Sequence, residues 1–332
     1  MNKKKTVFLW CFLAISLLAG GLLLSKAVDP SEPSGTASEA YAEETGKNGE
    51  KGYFRLLVAG TDRTTQLCDV LLLLSLNRDT GEIWGLQLPR DTYAAYSSGS
   101  YRKLNGAANA LGGMDELCAF LEESLGVGID RYLSLSPDAL RKGVDAVGGV
   151  DVWLPKAMNY EDPAQGLSIH LPAGTQHLDG SMAEQFVRYR SGYTRGDLDR
   201  MDAQKSFLSA LYRKVKEEMT LTGAVKLAIS LLGTVETNLT LPDITLLAES
   251  LFSAEAGGMF LTTAPGEEAT ATKSGASYFV LSAPGMEELL REHFGAREGG
   301  FDPNRVYLNQ SYAQFQEIYR RKISYGSYSL TE

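Results

Sequence analysis

The sequence predicts a three-layer α/β/α sandwich with a mixed central sheet, preceded by one N-terminal transmembrane helix. Three observations predict it. Three short apolar runs come before any helical periodicity, and the second, Asp69–Leu76, is nearly continuous, as a strand buried on both faces is. Strand-like and helix-like segments alternate after that meander, the pattern of layered α/β domains. An uncharged run of 20 residues, Thr6–Ser25, stands apart at the N-terminus and matches the thickness of a bilayer core.

Lys3, Lys4 and Lys5 precede this run, and acidic residues follow it. Positive flanks stay on the cytoplasmic side, so residues 1–5 read as a cytoplasmic tail, residues 6–25 as the membrane helix, and the rest as extracellular. A cleaved signal peptide is the competing reading, because Ser25-Lys26-Ala27 offers small residues at a cleavage spacing. Residues 26–52 are rich in Pro, Ser, Gly, Ala and Glu and nearly lack branched apolar side chains, so they read as a flexible linker.

In the body, Tyr53–Ala59 and Asp69–Leu76 are the first two strands, and Asn77–Gly81 is a tight turn into the third, Glu82–Leu88. Met114–Leu125 carries Leu117, Phe120, Leu121 and Leu125 at helical spacing between Gly113 and Gly126. Ile129–Ser136 is a strand, and Pro137 opens a helix that Gly148 and Gly149 end. Val150–Leu154 and Leu167–Leu171 are strands. Gly180–Tyr189 and Leu198–Glu218 are helices joined by the charged loop Arg190–Asp197. Beyond Thr220 come helices at Val225–Leu232, Ile244–Phe252 and Met286–Phe294, with a strand near Tyr278–Leu281. Residues 53–220 form the expected functional core, and residues 221–332 a continuation of the same domain.

With 32 Lys+Arg against 41 Asp+Glu, the formal charge is −9, which argues against a nucleic-acid binder. An anion site in such a body requires a local cluster of cations. The three cysteines, Cys11, Cys68 and Cys118, lack metal or redox spacing, leaving buried thiols or a single Cys68–Cys118 bridge. GxSxG, HExxH and GxxxxGK[ST] are absent, and His170, His177 and His293 do not stand at metal-ligand spacing.

What remains is a set of Asp, Arg and Lys residues near strand ends. Asp62 follows the first strand and Asp69 opens the second, so two carboxylates flank one connection. Such a pair suits Mg²⁺, which takes few protein oxygens and shares the rest with phosphate and water. The alternative is that Asp62 shapes a turn and Asp69 ends a strand. Arg90 and Asp91 follow the third strand, with Lys103 and Asn105 on a loop beyond. Arg188 and Arg190, two apart, share a face if the segment is extended. Arg200 and Gln204, four apart, share a helix face near Asp197. Arginine offers bidentate contact to phosphate, so this set is what a pyrophosphate site needs. Any one of these arginines, taken alone, reads first as solvated surface.

In this order, the residues resemble the LytR-CpsA-Psr family of cell-wall glycopolymer ligases. The matching stretches are LLVAGTD (56–62), CDVLLLLSLN (68–77), LQLPRDTY (86–93), KLNGAANALGG (103–113), VDAVGGVDVWLP (144–155), LPAGTQHLDGSMAEQFVRYR (171–190) and GDLDRMDAQKSFL (196–208). The resemblance implies a membrane-anchored phosphotransferase that moves a glycan from an undecaprenyl-pyrophosphate carrier to peptidoglycan with Mg²⁺. It implies Asp62 and Asp69 as metal ligands. Arg90, Lys103, Asn105, Arg188, Arg190, Asp197, Arg200 and Gln204 become pyrophosphate-binding positions, and Asp62, Asp69, Arg90 and Asp91 catalytic ones.

Two positions depart from the family pattern. Leu67-Cys68-Asp69 stands where Arg-Ser-Asp is usual, and Ala203-Gln204 where Arg-Gln is expected. Each removes a cation, for which Arg63, Arg102 and Arg195 are candidate replacements. The loss motivates one alternative, a non-catalytic, membrane-anchored binder of polyprenyl phosphates that regulates wall assembly; a pyrophosphatase that releases the glycan phosphate to water is a third reading.

Overall fold

The computed structural model describes residues 52–62, 67–97, 100–163, 167–194, 196–254, 259–271, 275–301, 315–323 and 328–329. The expected cytoplasmic tail, membrane helix and nearly all of the linker lie outside these residues, as do Arg63, Arg195 and the side chain of Arg102. No helix among the described residues is long and apolar enough to cross a membrane. The body divides into two compact units: a sheet unit from residues 48–134 and 255–332, and a unit containing residues 135–254 inserted between those stretches.

The sheet unit begins with β1 (Tyr53–Thr61), β2 (Cys68–Asn77) and β3 (Ile83–Leu88), the antiparallel meander the apolar runs predict. Leu57 pairs with Leu73 and Leu73 with Leu86, and these side chains are fully buried. Both faces of β2 are covered, which explains its lack of polar alternation. Asn77 N–H donates to the Glu82 carbonyl, and the Asn77 side chain accepts from Asp79 N–H, so this turn forms where expected. Gly85 admits the neighbouring chain, since a Cβ there would lie 2.3 Å from Leu261 Cδ2.

A hairpin of β4 (Tyr93–Ser97) and β5 (Ser100–Lys103) follows, which periodicity did not reveal because each strand is short. Next come α1 (Ala107–Leu111), α2 (Met114–Leu125) and β6 (Arg131–Leu135). Gly126 caps α2 at φ +67, and a Cβ on it would lie 2.0 Å from the Gly300 carbonyl oxygen.

The inserted unit opens with α3 (Pro137–Ala146), capped by the Ser136 hydroxyl, which accepts from Ala139 N–H. Strands β7 (Val150–Leu154), β8 (Met158–Asp162), β9 (Leu167–Leu171) and β10 (Gly174–Leu178) pair as β7 with β10 and β8 with β9. Helices α4 (Gly180–Arg188), α5 (Asp197–Glu218) and α6 (Leu221–Leu232) follow, then β11 (Val235–Thr237) and α7 (Leu241–Ser253). α3 and α4 meet closely at Gly180, where a Cβ would lie 2.3 Å from the Arg141 carbonyl oxygen.

The chain returns to the sheet unit as β12 (Met259–Thr263), parallel to β3. β13 (Gly266–Ala271), β14 (Ser277–Leu281), α8 (Ala283–His293), β15 (Phe315–Ile323) and β16 (Tyr328–Ser329) complete it. From β6 the central sheet runs β6-β1-β2-β3-β12-β16, with β1, β2 and β3 antiparallel in turn and β12 parallel to β3. This is a mixed α/β fold with a mixed central sheet. β13 pairs with β14 and β15 in a smaller sheet. Arg55, 1% exposed, belongs to this scaffold: its Nε donates to the Phe294 carbonyl at 2.7 Å. Cys68 and Cys118 are both free thiols.

Candidate functional site

The candidate residues fall into two groups, one in each unit. In the sheet unit, Thr61 pairs with Cys68 and Gly60 with Val70, which leaves Asp69 as the extra residue of a β-bulge. A bulge re-aims the side chain it carries. Leu71 pairs with Leu88, so continuing that register sets Asp69 opposite Arg90. Arg90 Nη1 donates to Asp69 Oδ1 at 2.6 Å.

Arg90 Nε lies 3.9 Å from Asp91 Oδ2, and Lys103 Nζ lies 2.8 Å from Asp91 Oδ1. Asp69, Arg90, Asp91 and Lys103 therefore form one chain of alternating charge, each partly exposed. The backbone holds it in place. Asn105 N–H donates to the Arg90 carbonyl, Leu104 N–H to the Thr92 carbonyl, and Phe279 N–H to the Asp91 carbonyl. Asn105 thus supports the site through its main chain. The buried Thr92 hydroxyl closes the Pro89 turn at 2.6 Å. Asp62 stands at the other side of the β1–β2 connection, its N–H donating to the Leu67 carbonyl.

Asp62 and Asp69 offer two partly exposed carboxylates at one connection, a donor set that fits a hard cation completing its shell with phosphate and water. Among the described residues, no group of three or more His, Cys, Asp or Glu side chains is placed to hold a metal.

In the inserted unit, Arg188 is the last residue of α4 rather than part of an extended segment, so the extended geometry expected to set Arg188 and Arg190 on one face is absent at Arg188. Arg188 Nη1 donates to Glu184 Oε1 at 2.8 Å, one helical turn back. Tyr189 is extended, and Arg190, which follows it, is exposed. Glu184 is nearly buried and also meets Arg141 Nε at 3.2 Å, so one carboxylate orients two guanidinium groups.

Gly196, at φ +51, admits the turn into α5, whose first residue is Asp197. Arg200, 2% exposed, places Nη2 2.8 Å from Asp197 Oδ1. Gln204, 3% exposed, donates from Nε2 to the Val187 carbonyl at 2.9 Å and so ties α5 to the end of α4 beside Arg188. Its Oε1 is buried with no hydrogen-bond partner among the described residues.

Arg200 and Gln204 share a face, as their spacing predicts. The sequence reading missed Glu184 and Tyr193. Glu184 was detectable as an i,i+4 partner of Arg188. Tyr193, whose hydroxyl is buried in the loop between Arg190 and Asp197, gave no local signal.

The sequence profile described as the LytR_cpsA_psr family matches residues 24–294, most of the chain. The chain belongs to the LytR_cpsA_psr family. Among its relatives in the family is the polyisoprenyl-teichoic acid–peptidoglycan teichoic acid transferase TagU of Oceanobacillus iheyensis, 29% identical over 241 residues, covering 70% of this chain and 72% of that protein. TagV of Bacillus subtilis, named for the same transfer, is 31% identical over 179 residues, 53% of this chain and 46% of TagV. The crystal structure of B. subtilis TagV superposes with a TM-score of 0.63 at 25% identity, covering 75% of this chain and all of that one. A structure of TagT bound to LI-WTA gives 0.58 at 26% identity, covering 73% and 89%. These family structures share the mixed α/β fold described above.

Proposed function

We propose that this protein transfers a glycopolymer from an undecaprenyl-pyrophosphate carrier to peptidoglycan by Mg²⁺-assisted phosphoryl transfer. The observation that carries the reading is the Asp69–Arg90–Asp91–Lys103 chain, assembled by strand register and backbone contacts from positions the family resemblance assigns to this chemistry. The names of the relatives support the donor and acceptor classes.

In this reaction an acceptor sugar hydroxyl attacks the phosphorus that carries the glycan. A new P–O bond forms, the bond from that phosphorus to the bridging oxygen breaks, and undecaprenyl phosphate departs with the bridging oxygen. Catalysis then consists mainly of positioning and of neutralising oxygen charge. Arg90 and Lys103 in the sheet unit supply cations for phosphate oxygens, and in the inserted unit Arg188, Arg190 and Arg200 present cations of the same chemistry. Asp62 or Asp91 accepts the hydroxyl proton. Asp62 and Asp69 would hold Mg²⁺, which supplies charge neutralisation at phosphate oxygens when bound. The same reading sets residues 6–25 across the membrane, with the body outside.

Purified full-length protein, given lipid-linked glycan, peptidoglycan and Mg²⁺, tests the proposal. Covalent attachment of glycan to peptidoglycan is the expected product. Binding of the lipid without transfer points to the regulatory binder motivated by Leu67 and Ala203, and release of glycan phosphate into water points to a pyrophosphatase. Either result removes the ligase reading.

A further inference from the structure

The loop from Arg190 to Asp197 carries a buried hydroxyl that the proposed chemistry has not used. Tyr193 N–H closes a turn onto the Arg190 carbonyl, and Gly192, at the third position, has φ +74, a conformation this kind of turn reserves for glycine. Lys156 Nζ donates to the Gly192 carbonyl and anchors the loop from outside. The Tyr193 ring meets the Tyr189 ring edge-on, with centroids 5.2 Å apart at 82°. Tyr189 is itself buried at the end of α4, so the Tyr193 ring has a fixed seat.

The Tyr193 hydroxyl oxygen is buried and has no hydrogen-bond partner among the described residues. An unmade hydrogen bond at a buried group is costly and calls for an explanation. Arg200 and Asp199, from the first turn of α5, both act electrostatically on this phenol. Its neighbours along the chain, Ser191, Gly192, Thr194 and Gly196, are exposed. Burial, with Tyr189 and Asp199, pushes the phenol far above its ordinary pKa, so the group is a donor throughout the physiological range.

We propose that the Tyr193 hydroxyl donates a hydrogen bond to a phosphate oxygen of the pyrophosphate ligand, acting with Arg200 as a binding residue. A neutral O–H facing an anionic oxygen makes a charge-assisted bond, stronger than a bond between neutral groups. The inference rests on the proposed function for the identity of the ligand.

The test uses full-length wild-type protein and Tyr193→Phe, two probes (inorganic pyrophosphate and lipid-linked pyrophosphate glycan), and a thermal melt. Phenylalanine keeps the ring on Tyr189 and removes only the O–H. Binding of both probes is expected to weaken about tenfold or more, the effect of one hydrogen bond to a charged group. The melting temperature is expected to stay or rise, because no protein hydrogen bond is lost. A lower melting temperature with unchanged binding makes the hydroxyl structural and overturns the inference.

The two readings separate cleanly. Equal affinity of both proteins for inorganic pyrophosphate overturns the role of Tyr193, while glycan transfer by the wild type leaves the ligase reading standing. Tyr193-dependent pyrophosphate binding without glycan transfer does the reverse. A wild type that binds neither probe removes both.

Discussion

Arg90 and Asp69 meet at 2.6 Å because β2 gains one residue at its start, and that residue is Asp69. The pair is 18% and 35% exposed, so solvent screens it and its net contribution to stability is about 1 kcal/mol or less. Its value lies in fixing where a guanidinium and a carboxylate are presented. Asp69→Asn and Arg90→Lys should each shift unfolding free energy by no more than about 1 kcal/mol. Each should reduce glycan transfer by roughly a hundredfold, the scale of losing one preorganised charge at a phosphoryl group. Urea unfolding and transfer assays on the same preparations check this; a large stability loss with proportionate activity would make the pair structural.

Glu184 behaves differently because it is nearly buried, accepts a hydrogen bond from Arg188 and pairs with Arg141. Removing a buried counter-charge leaves its partners uncompensated. Glu184→Gln should therefore destabilise the protein by roughly 1–3 kcal/mol. Arg188→Ala should also destabilise the protein by roughly 1–3 kcal/mol, because buried Glu184 loses one of its two cations, and should weaken pyrophosphate binding about tenfold. Melting curves and pyrophosphate titrations on the two variants should show both destabilised, with the larger loss of binding in Arg188→Ala.

These two cases show what the sequence could and could not disclose. The meander was legible because Leu71, Leu72 and Leu73 leave no polar alternation, and α2 and α3 because Gly126 and Pro137 mark their ends. The β4–β5 hairpin was not, since Tyr93–Ser97 is too short for its period to register. The acids and bases of the site were recognisable as types in order. Their pairing was not, because it depends on a bulge at Asp69 and on the helical state of Arg188, both set by tertiary contacts. Tyr193 was invisible for the same reason: an unpartnered hydroxyl is a property of surroundings, which spacing does not encode.

Gly180 is the first residue of α4, and its missing side chain lets α3 approach, with the Arg141 carbonyl oxygen 2.3 Å from where a Cβ would stand. Its N–H also donates to Asp145 Oδ1 at 2.7 Å. The opposing atom is backbone and has no rotamer by which to move. Gly180→Ala should cost about 1–3 kcal/mol through overpacking, despite alanine's better helix propensity. Because α4 carries Glu184 and Arg188, pyrophosphate binding should weaken as well. A variant as stable as wild type would mean that the two helices separate without penalty.

Asp243 gives the protein a pH dependence opposite to that of a paired surface carboxylate. It sits in the capping box of α7, accepting from the Thr240 N–H at 2.7 Å and the Thr240 hydroxyl at 2.6 Å. These bonds favour its charged form, but burial outweighs them and pushes its carboxyl up to about 6. An unfolded aspartate titrates near about 3.9. Between those values the folded chain holds the proton more tightly than the unfolded chain. This contribution to stability is therefore full below about pH 4, falls as pH rises to about 6, and is flat above. Asp243→Asn keeps an oxygen that accepts from Thr240 and removes the buried charge. The variant should melt higher than wild type at pH 7, and the difference should shrink towards zero at pH 4. Melting curves across this range decide it: a constant gap at both ends would mean that Asp243 acts through its shape and hydrogen bonds alone.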